Sequence, residues 1–539
     1  MDYSKHFSTK ETLQTQAIPG KTMIKNNAGG YGFEIDKMKQ LDRFLILGTE
    51  GGTYYVRENT LTVENAKSIV ALIKTNGIDV VKRIVKISTE GRAPKNGPAL
   101  FALALCTAPQ FANTETRRLA FEVLPTVARI STHLFEFIGY MQNFRGWGKL
   151  AQKGVQNWYQ NKTTTVLEYQ MVKYRQRMGW THNDVLRLAK PVPITPLHDQ
   201  LYGFAKNGLI VGDHDFKLIE GYETIQCVQT AKEAANVIAK FKLPMEAVPT
   251  QFKKEPVVWD ALLPQLPITA TIRNLRNMAK CDFLVPFSEA SKVVAERISN
   301  QEFIHKGRVH PVQFLNALLN YPEGHSRQVD SMWGSDVSST DKWQTCPNVI
   351  QALNDGFQSS FKTVKPSGKN MLLALDVSGS MGWDWCLGMQ GVTPREASAA
   401  LCLITANVEP NYLIGIFRDK FEIFDKIRAG MHITDAIKVV SELDFGSTDV
   451  ASPVIWAIDN KLPVDVISCY TDNETYWNTM HPSQALMKLQ NKIGKDTKFI
   501  SVSMCANNTT VADPDNKNML DVIGFDTATP KVISEFSDM

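Results

Sequence analysis

The sequence holds no apolar stretch near the roughly 18 residues that a membrane-spanning helix needs, which argues against a membrane-embedded role. Its opening residues, Met1-Asp2-Tyr3-Ser4-Lys5-His6, are polar and lack the apolar core of a signal peptide. The 8 cysteines include no C-x-x-C pair, so neither a disulfide framework nor a zinc site is indicated; reduced core cysteines are expected. No Walker A motif is present, and strand signals are sparse before residue 371. These absences describe a soluble intracellular protein whose 539 residues suffice for two or three domains with sizeable cores.

The net charge of +4 conceals an asymmetry. Residues 370–539 carry 13 Lys and Arg against 22 Asp and Glu, whereas residues 1–369 carry 46 against 33. A basic N-terminal portion joined to an acidic C-terminal one suggests two jobs, with the basic part suited to a polyanion.

The most informative run lies in the acidic part. Met371-Leu372-Leu373-Ala374-Leu375 is a short apolar segment that suits a buried parallel strand, and Asp376-Val377-Ser378-Gly379-Ser380 follows where the chain leaves the sheet. One carboxylate and two hydroxyls from a tight loop are hard oxygen donors of the kind Mg2+ prefers. Gly446-Ser447-Thr448-Asp449 occupies a later polar break, and Val464–Asp472 is a second apolar run ending in an aspartate. Between them, Thr393-Pro394-Arg395-Glu396 opens a helix with a capping box and proline at its first position. This order and spacing resemble a von Willebrand factor A domain with a metal-ion-dependent adhesion site. The resemblance implies Asp376, Ser378, Ser380, Thr448 and Asp472 as direct or water-mediated ligands of a divalent cation, expected to be Mg2+. The same residues in an α/β domain without metal would merely cap turns.

The basic part reads as helices joined by short breaks. Residues 63–88 have apolar residues at helical spacing with an interruption at Asn76-Gly77, which predicts a helical hairpin. Residues 98–106 and 116–140 continue the helical pattern, whereas 1–30 and 45–60, rich in Gly, Thr and Asn, read as tails or loops. Successive hairpins over some 300 residues predict a degenerate α-solenoid.

Within it, Lys173–Pro191 is the segment richest in chemistry. Leu167, Met171 and Tyr174 form an apolar stripe, which places Lys173 and Arg177 one turn apart on another face. Gly179 suits a helix C-cap, Thr181 with Asp184 forms a capping box, and Pro191 ends the next helix. Arg175, His182, Arg187, Lys190 and the nearby Tyr and Trp complete a turn whose cations would bind phosphates and whose rings would stack on unpaired bases. Arg92 and Lys95 lie in a second basic break, and Arg273 and Arg276, three residues apart, can face one phosphate backbone. Each cluster alone could be a solvated basic face, since helix ends also attract Lys and Arg.

Residues 91–98, 173–191 and 271–278, followed by the A domain, resemble the 60-kDa Ro (SS-A) ribonucleoprotein autoantigen family, with a TROVE module ahead of the A domain. The resemblance covers roughly residues 20–539. It implies a flexible tail over 1–20, a TROVE module over 21–365 and the A domain over 366–539. The fold class expected is therefore multidomain: an all-α ring of HEAT-like repeats, closed by the A domain, followed by a doubly wound α/β domain. The family also implies Y RNAs on the outer basic surface, single-stranded 3′ ends of misfolded small non-coding RNAs in the hole, and a monomer in the cytoplasm with some in the nucleus. The A-domain ligands leave a coordination position open for an acidic side chain of a protein partner. No general base is paired with a nucleophile there, and His182 and His310 lack a neighbouring nucleophile signature, so no enzymatic activity is expected. A solenoid protein adaptor and a metal-dependent nuclease using Asp376 and Asp472 are the alternatives.

Overall fold

A series of helical elements runs from Lys67 to Ser360 among the described residues, because apolar residues recur there at three- and four-residue spacing. The computed structural model describes residues 11–48, 66–208, 210, 212–325, 342–361, 364–382, 386, 392–505, 507–525 and 528–539. One unit comprises Lys67–Ser360; the other joins Met1–Ala66 to Phe361–Met539. Among the described residues no helix is long and apolar enough to cross a membrane.

In the helical unit the expected interruption at Asn76-Gly77 is present: two helices meet at a kink within Lys67–Glu90, where Asn76 leaves helical geometry (φ −132°, ψ 38°). Gly77 allows the approach of Thr116, whose Oγ1 would lie 2.5 Å from a Cβ added there. The pattern over 116–140 resolves into three helices, Thr114–Glu122, Leu124–Val127 and Ser131–Phe144. Gly97–Leu105, almost wholly apolar, packs against Ser131–Phe144, and Glu289–Ser299 packs against Pro347–Ser360. His310 Nε2 lies 3.1 Å from the Arg92 carbonyl oxygen across 218 residues, so the helical series returns on itself through its own residues.

The other unit carries a six-stranded sheet. Its spatial order is Met519–Ile523, Lys498–Ser503, Val466–Thr471, Met371–Asp376, Tyr412–Phe417 and Phe421–Ile423. All neighbours are parallel except the last pair. Met371–Asp376 is buried along its whole length, as its run of apolar residues predicts for a central strand covered on both faces. Strand order reverses beside it: later strands flank it on either side, which places Asp376 and Asp472 at the carboxyl ends of adjacent strands. In open α/β sheets that crevice is where ligands bind.

Residues 11–20, expected as part of a flexible tail, are built into this unit, with Thr12 and Gln14 buried. Residues within 1–30 and 45–60 also take regular structure: Met23–Lys25 pairs with Tyr31–Glu34, which pairs in turn with Thr509–Thr510, and Lys37–Leu47 is a helix. The rest of the 45–60 reading, like residues 1–10, lies outside the described residues.

Candidate metal centre and nucleic-acid interface

The five residues singled out as cation ligands lie on three loops: Asp376, Ser378 and Ser380 on the first, Thr448 on the second and Asp472 on the third. Asp376 Oδ1 accepts the Ser378 amide at 2.9 Å, Asp472 Oδ1 accepts the Glu474 amide at 3.0 Å, and Asp449 Oδ1 accepts the Ala451 amide at 3.0 Å. Each aspartate thus shapes its own turn by bonding the amide two residues on. Ser378 and Ser380 hydroxyls lie 3.2 Å apart, and Thr471 Oγ1 donates to Asp376 Oδ2 at 2.7 Å, tying the two central strand ends together. Thr448 stands half-buried in the second loop, which meets the first where the Gly379 amide donates to the Gly446 carbonyl at 3.2 Å.

Burial raises the carboxyl pKa of Asp376, and of Asp472 further still because Asp376 and Glu474 add negative charge beside it. Among the described residues Asp472 Oδ2 is buried with no hydrogen-bond partner within bonding geometry, although the Ser380 hydroxyl stands beside the carboxyl. An unmatched buried carboxylate oxygen is costly, and a divalent cation is the partner that would satisfy it. Among the described residues no three His, Cys, Asp or Glu cluster as a metal site, so hydroxyls must supply much of any shell here.

Three supporting residues escaped sequence reasoning. Arg395 is buried, donates from Nη2 to the Val377 carbonyl at 2.5 Å and from Nη1 to that of Leu443 at 3.0 Å, and lies 4.3 Å from the Phe445 ring centroid. It carried a signal: a cation in the first turn of a helix opposes the helix dipole and asks for another reason to be there. Gln14 and Glu474 carried none, because they act through chain neighbours far away in sequence.

The ten candidate RNA-binding residues divide. Arg187 and Lys190 are exposed at the end of the helix His182–Ala189, and Lys95 is exposed in the break before Gly97. Arg175 is exposed with its guanidinium 4.8 Å from the Tyr222 ring centroid; Arg177 is exposed and donates to Glu136 at 2.8 Å. Arg273 and Arg276 share the exposed face of the helix Ile268–Lys280, Arg273 donating to the Thr269 carbonyl and Arg276 lying 5.3 Å from the Trp343 ring centroid. Arg92 is half-buried, and its carbonyl receives His310.

Lys173 and His182 face inward instead. Lys173 is 8 % exposed, donates to the Tyr169 hydroxyl at 3.0 Å and lies 3.9 Å from Glu246. Arg177 is not one turn along from it, because the helix ends at Lys173 and the chain enters a hairpin, Gln176–Arg177 paired with Trp180–Thr181. Met178 and Gly179 both have positive φ, so Gly179 completes a two-residue hairpin turn rather than a helix C-cap. The capping box of Thr181 and Asp184 forms as read. His182, just after it, is buried, with its Nδ1 2.9 Å from the Tyr159 hydroxyl and its ring 5.0 Å from that of Phe135.

Burial lowers the imidazole pKa of His133, His182 and His310 to about 4. Free histidine titrates near 6.5, so between these values the unfolded chain binds more protons than the folded one. The stability contributed by these neutral, buried histidines is therefore full above about pH 6.5 and falls as pH drops toward 4. Chemical denaturation of wild type and His182→Gln should show their stability difference shrinking by roughly 1 kcal/mol per pH unit below 6.5. A difference that stays constant from pH 7 to 5 would contradict neutral burial.

The TROVE domain family matches residues 24–237 and 239–330, and the Ro60 vWA domain family matches residues 370–537. A Deinococcus radiodurans protein named RNA-binding protein RO60 is 34% identical over 529 residues, covering 97% of both chains. The chain belongs to the Ro60 family. A Caenorhabditis elegans Ro60 protein of the same name is 31% identical over 593 residues, covering 95% of this chain and 90% of its own. The crystal structure of the D. radiodurans Ro protein superposes with a TM-score of 0.72 at 33% identity, covering 93% of this chain and 99% of that one. A helical TROVE portion followed by a von Willebrand A domain is thus the family's architecture and this chain's.

Proposed function

We propose that this chain binds RNA through its helical unit: Y RNAs on exposed cations, and single-stranded 3′ ends of misfolded small non-coding RNAs in a ring of helices. The relatives' name, RNA-binding protein, over nearly the whole chain is the observation that carries this reading. Exposed Lys95, Arg175, Arg177, Arg187, Lys190, Arg273 and Arg276 are the cations assigned to phosphate, with half-buried Arg92 at their margin. Lys173 and His182 are assigned to the fold. We extend the proposal to a role in small-RNA quality control, placed in the cytoplasm with some protein in the nucleus.

In the second unit we assign Asp376, Ser378, Ser380, Thr448 and Asp472 to Mg2+, supported by the buried Asp472 Oδ2, which lacks a partner among the described residues. Two carboxylates balance one divalent charge, and a bound cation would offer an open position to an acidic side chain of a protein partner. Among the described residues the two aspartates bond hydroxyls and backbone amides, and the neighbouring Glu474 carboxylate is held by Asn27 and Ala28 rather than aligned on a nucleophile, which suits docking better than hydrolysis.

The deciding experiment compares a small structured RNA with and without an unpaired 3′ tail. A pore lined by side chains admits a single strand but not an A-form duplex, and phosphate contacts hold it with little sequence preference. The tailed RNA should bind more tightly for most tail sequences. Equal affinities would leave surface binding only, and no binding of either would favour a protein adaptor.

A further inference from the structure

We infer that residues 12–30 are a positioning element of the cation site, with Gln14 as the residue that joins two of its loops. The inference rests on the cation reading above and concerns what holds the ligands in place.

Gln14 is fully buried. Its Nε2 donates to Asp449 Oδ1 at 2.7 Å and to Thr479 Oγ1 at 2.9 Å, while its Oε1 accepts from the Thr475 hydroxyl. Its amide donates to the Thr479 carbonyl at 2.9 Å, and its carbonyl accepts from Tyr31 at 2.8 Å. Asp449 follows the ligand Thr448 directly; Thr475 stands three residues beyond the ligand Asp472. One carboxamide therefore spans the second and third ligand loops, donating to an acceptor on one and accepting from a donor on the other. A glutamate in its place could not donate to Asp449.

Neighbouring residues reinforce the third loop. Asn26 donates to the Thr475 carbonyl at 2.8 Å, Asn27 to Glu474 Oε1 at 2.8 Å, and the Ala28 amide to Glu474 Oε2 at 3.0 Å. Glu474 is itself buried, and its amide holds Asp472 Oδ1. Gly30 passes so close that a Cβ there would fall 2.0 Å from the Thr475 carbonyl oxygen, which excludes any side chain without a shift of backbone. By contrast, Gly446 and Ser447, ahead of Thr448, are exposed. The sequence places these clamps more than 400 residues from the loops they hold, with Gln14 and Asp449 435 residues apart.

Residues that orient metal ligands without touching the metal typically control affinity by about 10- to 100-fold. Mn2+ serves as the probe, read by the loss of its free-ion electron paramagnetic resonance signal on titration with the full chain. Wild type should bind one Mn2+, and Asp376→Ala should not. Gln14→Glu should weaken binding by about 10- to 100-fold, and Asn27→Ala should weaken it less, in the same direction. Melting in EDTA separates a general loss of stability from a loss of affinity, and Asn27→Ala removes the side-chain bond to Glu474 while the backbone amide of Ala28 still donates to it. Absence of Mn2+ binding by wild type would overturn the cation reading itself. Binding by wild type, with Gln14→Glu and Asn27→Ala both within about twofold of it, would overturn the positioning role alone; if Gln14→Glu fails to fold, Asn27→Ala decides.

Discussion

Arg43→Ala should destabilise the C-terminal unit by about 3–5 kcal/mol, the usual cost of leaving one partner of a buried ion pair uncompensated. Arg43 and Asp521 are 1% and 2% exposed at their side chains, and Nη2 donates to both carboxylate oxygens at 2.9 and 2.8 Å. Nη1 donates to the Asn507 carbonyl at 2.5 Å, to its Oδ1 at 2.6 Å and to the Thr509 carbonyl at 3.1 Å. The guanidinium thus fixes the helix Lys37–Leu47 to the edge strand Met519–Ile523 and to the segment that precedes it. Removing it leaves the buried Asp521 charge without its counter-ion, with Thr510 at 2.8 Å and Asn473 at 3.4 Å still donating to Oδ1, whereas Arg43→Met with Asp521→Leu removes both charges and should recover most of the loss. Denaturant titration of the full chain, read by a probe in the C-terminal unit, measures both. A loss below about 1 kcal/mol for Arg43→Ala would mean that the pair is hydrated and that the N-terminal segment is a loose attachment rather than part of the domain.

Features that rest on local rules were legible from residue order. Met371–Asp376 is the central strand because a continuous apolar run can be buried on both faces, and Thr393 caps its helix through the reciprocal bonds with Glu396 that its spacing foretells. The aspartates and hydroxyls of the candidate site were visible because each sits just after such a strand or in a polar break. Arg177 was misplaced by extending one helical period past Lys173, where the helix stops. The competing signal was a hairpin turn of Met178-Gly179, in which a non-glycine residue takes positive φ and so escapes the usual turn signature. His182 has the composition of a ligand but the surroundings of a core residue, and only packing distinguishes the two. Gln14 was beyond reach: in a segment rich in Gly, Thr and Asn it has no local pattern, and both loops it joins lie at the far end of the chain.

The division between outward and inward cations gives the second large effect. Replacing Arg175, Arg187 and Lys190 together by alanine should weaken binding to structured RNA and flatten its salt dependence, because each lost phosphate contact removes about 0.7 to 0.9 from the slope of log affinity against log salt. Three contacts amount to a slope change of about 2.1 to 2.7, or a roughly 20- to 40-fold loss of the advantage gained by lowering salt from 200 to 50 mM. The fold should survive, since all three residues are exposed and none caps a helix through its side chain. Lys173→Ala is the contrasting variant. Its ammonium lies among Tyr169, Tyr174 and Glu246, so its removal should lower the melting temperature and leave the slope unchanged. Titrations of one labelled RNA at four salt concentrations, with melting curves for each variant, separate the two effects. A triple variant with an unaltered slope would take the outer end of the helix His182–Ala189 off the RNA surface. A flattened slope in folded Lys173→Ala would put the buried ammonium back on it, through an opening of the hairpin that begins at Gln176.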